Sequence, residues 1–472
     1  MARIGIIPLA RPTFDIAFAR ELAESAINRL YELGHICVFP DGPKFEGVDL
    51  ITDNDLAFAA IDSFKSQTFD LLLILQTTFT DAEALLRITD AIKSPVAIWA
   101  FPEPRAGGRL RLNSFCGLNL AAHALGRAEV PYSTLFAPPD EPALPGLLGD
   151  ILAGSGANSA ALEPVAYSND NMEIAGEVAD SLRDMRVGIV GKHPPGFVTC
   201  AYDTAVLKED TGISVDAISL DTMFERADAA DSGEVEEARQ HVVDTLQGAE
   251  FLDQKSLTRS MRVLAALDSL RNDRGLSALA VRCWPEMFTE YGCAACGPMA
   301  MMIGSGTPAA CEADVYGAVT ALMLQGISKK PALLVDIVDM SDADDTGVFW
   351  HCGLAPTSMA SSKTPPAAGI HSNRRLPLLH DFALKPGRVT IARLSQSKNI
   401  VRLVIGGGDM IEAPNSFSGT SGVIRFDRPV ADVRQRLLDE GLEHHVAFTY
   451  GEHRAELAAL AARLDLPTLT LC

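Results

Sequence analysis

The chain has 472 residues, 47 % of them hydrophobic and 21 % charged, which is more than a single core holds, so two or three domains are expected. Its 40 Lys and Arg stand against 61 Asp and Glu, a formal charge of −21. That balance speaks against nucleic acid or an anionic membrane as partner, because both select basic surfaces, and leaves a small-molecule enzyme as the expectation.

The N-terminal "MARIGIIPLARPTFD" has a short apolar stretch followed by charges, and no apolar run approaches the ~20 residues of a membrane span. The nine cysteines are odd in number and dispersed, so a reducing, cytoplasmic setting without a disulfide framework is expected. Apolar runs at 4–9, 35–40, 70–76 and 96–101 read as strands, and 15–32, 54–66 and 80–92 as the helices between them. This alternation predicts a parallel sheet with helices on both faces over 1–165. The Pro-, Gly- and Ala-rich stretch 138–166 reads as a linker. A second alternating set covers 166–353. It has strands at 186–191, 213–220 and 278–284, a long helical stretch at 233–272, then a helix at 312–326 and a strand at 332–338. The remainder, 354–472, reads as a smaller β-rich, barrel-like domain with runs at 387–394, 400–408 and 421–426. Its three consecutive glycines in "VIGGGDM" read as a tight β corner.

Two acids stand in unusual places. Glu312 lies in "CEAD" before an apolar helix, and Asp336 lies inside "ALLVDIV", 24 residues further on. A buried lone carboxylate costs several kcal/mol, so both require a partner. His351 follows 15 residues later in "VFWHCG". Two carboxylates and an imidazole suit Mn²⁺, and also Zn²⁺, Co²⁺ or Fe²⁺. The residues alone leave open a loop-capping Asp and a core His. "HHVAFTYGEH" adds His444 and His445, of which an extended strand points only one at a given site; a structural His remains open there too. Lys192 and His193 follow a strand in "GKHPPGF". Arg11 and Asp15 follow the first strand and Gln76 to Asp81 the third, either lining a cleft or marking helix starts capped by Thr13 and Thr80. Cys293 and Cys296 form a solitary CxxC, better read as packing at a helix start than as a zinc or redox site. Cys311 and Cys352 read as small packing residues.

The ordered series "RCWPEM", "AACGPMAMM", "GTPAACEADV", "ALLVDIV" and "VFWHCGLAP", with "PLARPTFD", "LLLILQTTFTD", "KHPPGFVTCAYD" and "HHVAFTYG" around it, resembles the L-fucose/L-arabinose isomerase superfamily over nearly the whole chain. The resemblance implies two Rossmann-like α/β domains, a C-terminal barrel-like domain and a trimer or hexamer with sites near subunit interfaces. It also implies Mn²⁺-dependent aldose–ketose isomerisation through a cis-enediol, with Glu312, Asp336, His351 and His445 as metal ligands and Glu312 and Asp336 as acid and base. Substrate contacts are expected from Arg11, Lys192, His193, Trp284 and Asn415. The three basic residues among them suit an anionic group, so sulfonated and deoxy sugars are candidates. A lyase, dehydratase or epimerase using the same enediolate, or a sugar-binding protein without catalysis, are the alternatives.

Overall fold

A computed structural model describes residues 1–42, 44–45, 49–155 and 159–472. The first sheet contains β1 (Arg3–Leu9), β2 (Ile36–Val38), β3 (Leu71–Gln76), β4 (Val96–Ala100) and β5 (Tyr132–Phe136) in the order β2-β1-β3-β4-β5. Every pairing in it is parallel. Its central strands are buried on both faces, as continuous runs such as "LLLILQ" dictate. The helix Ile16–Glu32 is capped by Asp15 and the helix Ala82–Ala91 by Asp81, not by the threonines the sequence offers. A carboxylate nearer the helix start takes the free N–H groups first. The stretch 138–166 contains a helix, Leu144–Leu152, and its residues 156–158 lie outside those described.

The second sheet, in the order β7-β6-β8-β9, contains β6 (Arg186–Val190), β7 (Ser214–Ile218), β8 (Ala278–Val281) and β9 (Ala309–Ala310), again all parallel. The long helical stretch divides into two helices, Ser232–Thr245 and Gln254–Arg274. Gly248 in the left-handed region and Asp253, whose side chain caps the second helix, make the break.

The third sheet has nine strands: β10 (Leu333–Ser341), β11 (Thr346–His351), β12 (Ala367–Gly369), β13 (Leu379–Ala383), β14 (Gly387–Ser395), β15 (Arg402–Ile411), β16 (Thr420–Phe426), β17 (His445–Tyr450) and β18 (Thr468–Thr470). It is mixed, in the order β12-β13-β16-β11-β10-β17-β14-β15-β18, and a further pairing of β15 with β16 returns six of its strands on themselves. One expectation is corrected here. The strand carrying Asp336 does not continue the second parallel sheet. It is β10, antiparallel to both β11 and β17 in the middle of the third sheet. A central strand covered on both faces reads as an apolar run whatever the direction of its neighbours, so composition cannot assign it.

The three glycines of "VIGGGDM" are also not a corner. They lie within β15, where neighbours crowd the backbone: a Cβ on Gly408 would stand 2.5 Å from the carbonyl oxygen of Arg425. The obstacle is backbone, so Gly408→Ala must move β15 from β16. We expect it to cost about 1–3 kcal/mol, read as a lower urea midpoint with an unchanged m-value.

Candidate active site

The two parallel sheets direct the C-terminal ends of several strands at one region. Arg11 follows β1, Phe79 and Asp81 follow β3, Trp284 follows β8 and Glu312 follows β9. Ligands of open α/β sheets gather at that edge. The third sheet meets it with the face of β10 and β17, where Asp336 stands directly opposite His445 on one side and Trp350 on the other. Cross-strand partners on one face lie within side-chain reach, so Asp336 and His445 are neighbours by register. A cavity of about 80 Å³ lies here, lined among others by Arg11, Trp284, Glu312, Asp336, His351 and His444. A larger cavity of about 750 Å³ opens between the helices Ser232–Thr245 and Gln254–Arg274, where Asp268 and Arg271 pair with each other at 3.0 Å.

Glu312 reaches the cavity from a strained turn. It and Ala313 take left-handed φ values of 58° and 54°, at about 1–3 kcal/mol each for residues with a Cβ. Oε1 of Glu312 accepts the indole N–H of Trp284 at 3.0 Å. Oε2 lies 3.3 Å from Nε2 of His444 and 3.8 Å from Nε2 of His445. Nε2 of His445 is also 3.4 Å from Oδ1 of Asp336. Both adjacent histidines thus face the same acid, because His444 precedes β17 at a bend and escapes strand alternation.

Behind them lies a group whose role the sequence reading missed. Asp314 is fully buried. Its Oδ1 caps the helix Val315–Ser328 through the N–H of Gly317 at 2.8 Å. Its Oδ2 accepts Nη1 of Arg393 at 2.5 Å and Nδ1 of His445 at 2.9 Å. With Nδ1 of His445 committed to Asp314, Nε2 is aimed at Glu312 and Asp336. A carboxylate behind an imidazole is the usual support of a metal-binding histidine.

The charges divide the two acids. Burial opposes the ionised form of Glu312, but the hydrogen bond from His444 and the charges of His445 and His444 outweigh it and hold the carboxyl at about 2. At Asp336 burial wins: the carboxyl is pushed up to about 7, with His445 opposing and Glu312 adding to the rise. Burial and the nearby charge of His445 lower His351 to about 3 and His444 to about 4. His445 is raised, because the carboxylates of Asp314, Asp336 and Glu312 overcome its burial.

Oδ1 of Asp336, Nδ1 of His444 and Nε2 of His351 are buried without a hydrogen-bond partner. Buried polar atoms are rarely left so, and a carboxylate oxygen and imidazoles in this state fit a divalent cation and a polyhydroxylated ligand. Glu312, His444 and His445 present donor atoms within 4.8 Å of one another, and Asp336 adjoins them. His351 lines the same cavity, but its Nδ1 accepts the Cys352 N–H at 2.8 Å, so the neutral ring presents an N–H on Nε2 instead of a lone pair.

Of the substrate contacts expected from sequence, Arg11 and Trp284 line the cavity. Lys192 and His193 do not: Lys192 is exposed, and Nδ1 of His193 bonds the carbonyl of Pro194. Their loop contributes Phe197 instead. Asn415 is turned away, donating to Asp381 and Gly419 and accepting from Ser421. The cavity adds Asn113, whose Oδ1 is buried and unpartnered, and His371, Asn373 and Arg374 from the segment before β13. No short motif marks these residues in the sequence. Cys311 faces Cys283 with the Sγ atoms 2.7 Å apart, and burial raises its thiol well above the ordinary range, which suits packing and not nucleophilic attack. All nine cysteines are free, and no helix among the described residues is long and apolar enough to cross a membrane.

Comparison with known proteins accords with this geometry. Residues 5–142 match the fucose/sulfoquinovose isomerase N-terminal domain, and residues 380–470 match the L-fucose isomerase C-terminal domain. A sulfoquinovose isomerase of Alkalicoccus urumqiensis is 30 % identical over 476 residues, covering 100 % of both chains. The chain belongs to the L-fucose isomerase-like superfamily. Further sulfoquinovose isomerases of this superfamily, from Priestia aryabhattai and Clostridium sp. (strain MSTE9), are 29 % and 28 % identical, each covering 98 % of this chain and 97 % and 98 % of their own. The matched N-terminal region contains Arg11 and Asn113, and the C-terminal one contains Arg393, His444 and His445.

The buried ion pair makes a stability prediction. Arg393→Leu strands Asp314 as an uncompensated charge and should cost about 3–5 kcal/mol. The double variant Arg393→Leu, Asp314→Asn should lose less than the sum of the two single changes, measured as a double-mutant cycle in urea.

Proposed function

We propose that this chain is a divalent-metal-dependent aldose–ketose isomerase whose substrate is a sulfonated hexose of the sulfoquinovose kind. The observation that carries the reading is the convergence of Glu312 and Asp336, which line one cavity, with Nε2 of His445, which lies 3.8 Å and 3.4 Å from them and is backed by Asp314. The full-length likeness to sulfoquinovose isomerases supports it. The proposed ligands are Glu312, Asp336 and His445, with His444 beside them, and the carboxylate share suits Mn²⁺ over softer ions, with Co²⁺, Zn²⁺ and Fe²⁺ as competitors. When bound, the cation polarises the sugar carbonyl and offsets the negative charge of the enediolate.

The chain's own residues do the rest. Glu312 and Asp336 are the only carboxyls among the described residues that line the cavity, so the proton leaving C2 passes to one of them. Their environments push their affinities for protons apart, the condition for dividing acid and base roles between two like groups. The Trp284 N–H fixes Oε1 of Glu312 and leaves Oε2 facing the histidines. His351 presents its N–H, and Asn113 its Oδ1, to sugar hydroxyls. Phe79, Phe197 and Trp350 wall the cavity and keep water from the enediolate.

Purified protein with Mn²⁺, offered the sulfonated aldose in D₂O, should yield the ketose with deuterium at one carbon; fragments or a dehydrated product would instead indicate a lyase or dehydratase. Chelation should abolish turnover and Mn²⁺ restore it. Glu312→Gln and Asp336→Asn should each lower kcat by at least about 100-fold. An undiminished rate in either variant at saturating Mn²⁺ would sink the mechanism. Asp314→Asn should weaken Mn²⁺ binding by about 10- to 100-fold in calorimetry, because His445 loses the acceptor that sets its tautomer.

A further inference from the structure

We propose that Arg374, paired with Arg11 across Trp284, is the subsite that receives the anionic end of the substrate. The inference rests on the isomerase reading above and assigns the residues that select a sulfonated sugar over a neutral one.

Arg374 lies on the segment between β12 and β13 and lines the same cavity as Glu312 and Asp336. Its Cζ stands 4.8 Å from the ring centroid of Trp284 and 5.4 Å from that of Phe288. The Cζ of Arg11 stands 5.0 Å from the same indole. Two guanidinium groups thus lean on one aromatic ring inside one cavity. Arg11 pairs with Asp81 at 3.0 Å and also feels the charge of Glu312, and among the described residues no ion pair uses Arg374. The charge of Arg374 also works against that of Arg11. Two half-buried cations over one indole, with a single carboxylate ion-paired to them, leave room for one more negative charge.

The placement is built. Asn373, next to Arg374, accepts Nε of Arg109 at 2.6 Å through its Oδ1, and Nη2 of Arg109 donates at 2.9 Å to the carbonyl of Thr13, two residues from Arg11. Arg109 therefore ties the loop carrying Arg374 to the loop carrying Arg11. The backbone N–H of Arg374 donates to His371 at 3.2 Å and tightens its own turn.

The same indole also meets the reacting end. Its N–H edge holds Glu312, and the cations lean on its ring. Carboxyl and cations thus meet the same side chain, and the proposal places the hexose with C1 and C2 at Glu312 and Asp336 and C6 at the arginines. A sulfonate offers oxygens that guanidinium forks satisfy in pairs. Lys192 and His193 do not line the cavity.

The test compares the sulfonated hexose with its 6-deoxy analogue, which lacks the sulfonate. For Arg374→Gln the ratio of kcat/KM between the two sugars should fall about 10- to 100-fold, carried by KM on the sulfonated sugar, as expected for losing hydrogen bonds to a charged group. Arg374→Lys should recover part of that ratio. Equal losses on both sugars, or no loss on either, overturn the proposal. Calorimetric titration of the sulfonated sugar into chelator-treated protein reads the subsite apart from turnover. Wild type should bind at least about 10-fold more tightly than Arg374→Gln. Equal affinities overturn the subsite even where wild type turns the sugar over. Should wild type turn over neither sugar, the isomerase reading fails while the affinities still decide the subsite.

Discussion

The buried carboxylate of Asp314 fixes the rest of this site. A charge with no exposure to water is tolerable only where other charges and N–H groups surround it. Here they come from three directions: Gly317 at a helix N-terminus, Arg393 on β14 and His445 on β17. Arg393 also donates to the carbonyl of Thr199 at 3.2 Å and lies 3.8 Å from Glu443, so one node joins the loop after β6 to the third sheet. With Nδ1 of His445 held by Asp314, Nε2 faces Glu312 and Asp336. The position of Glu312, two residues before Asp314, follows from the same anchor.

Rigid and irregular elements divide the work. Asp336 and His445 are placed by antiparallel register, which fixes their separation through the whole ladder. Glu312 is placed by left-handed backbone, a conformation that persists only where its surroundings over-determine it. Asp314 on one side and Trp284 on the other supply that determination. The groups that would meet the distal part of a substrate, Arg11, Asn113 and Arg374, come from loops instead. That is where a fold kept for one chemistry changes specificity at least cost to its core.

The sequence shows many of the strands and helices of both parallel domains within a few residues, since their apolar runs and caps are local signals, but not the half-buried edge strand β5 or the helices Ser114–Arg127 and Asn169–Leu182. Glu312 and Asp336 are also legible, because an acid in an apolar run is an anomaly with a physical cost. The sheet to which β10 belongs is not legible, because burial on both faces erases the alternation that would tell antiparallel from parallel. Glycines in "GGG" mark either a turn or a crowded strand, and only the approach of Arg425 decides between them. Asp314 passes for an ordinary helix cap, although the arginine inside "VTIARLS" is the matching anomaly on β14. Arg374 sits in a loop-like stretch where an arginine costs nothing and therefore signals nothing.

The electrostatics of the cavity are coherent only when its two ends are considered together. At one end, the acids Glu312, Asp336 and Asp314 gather around His445. At the other, Arg11 and Arg374 exceed the single carboxylate of Asp81. A chain of net charge −21 repels an anionic sugar at long range, but at physiological salt that field fades within about 8 Å. Inside that distance the arginines dominate. Trp284 meets both ends, donating its N–H to the acid while the guanidinium groups of Arg11 and Arg374 lie over its ring. Were the proposed cation held among those acids, a substrate with oxygens at its carbonyl end and an anionic group at its far end would complete both halves at once.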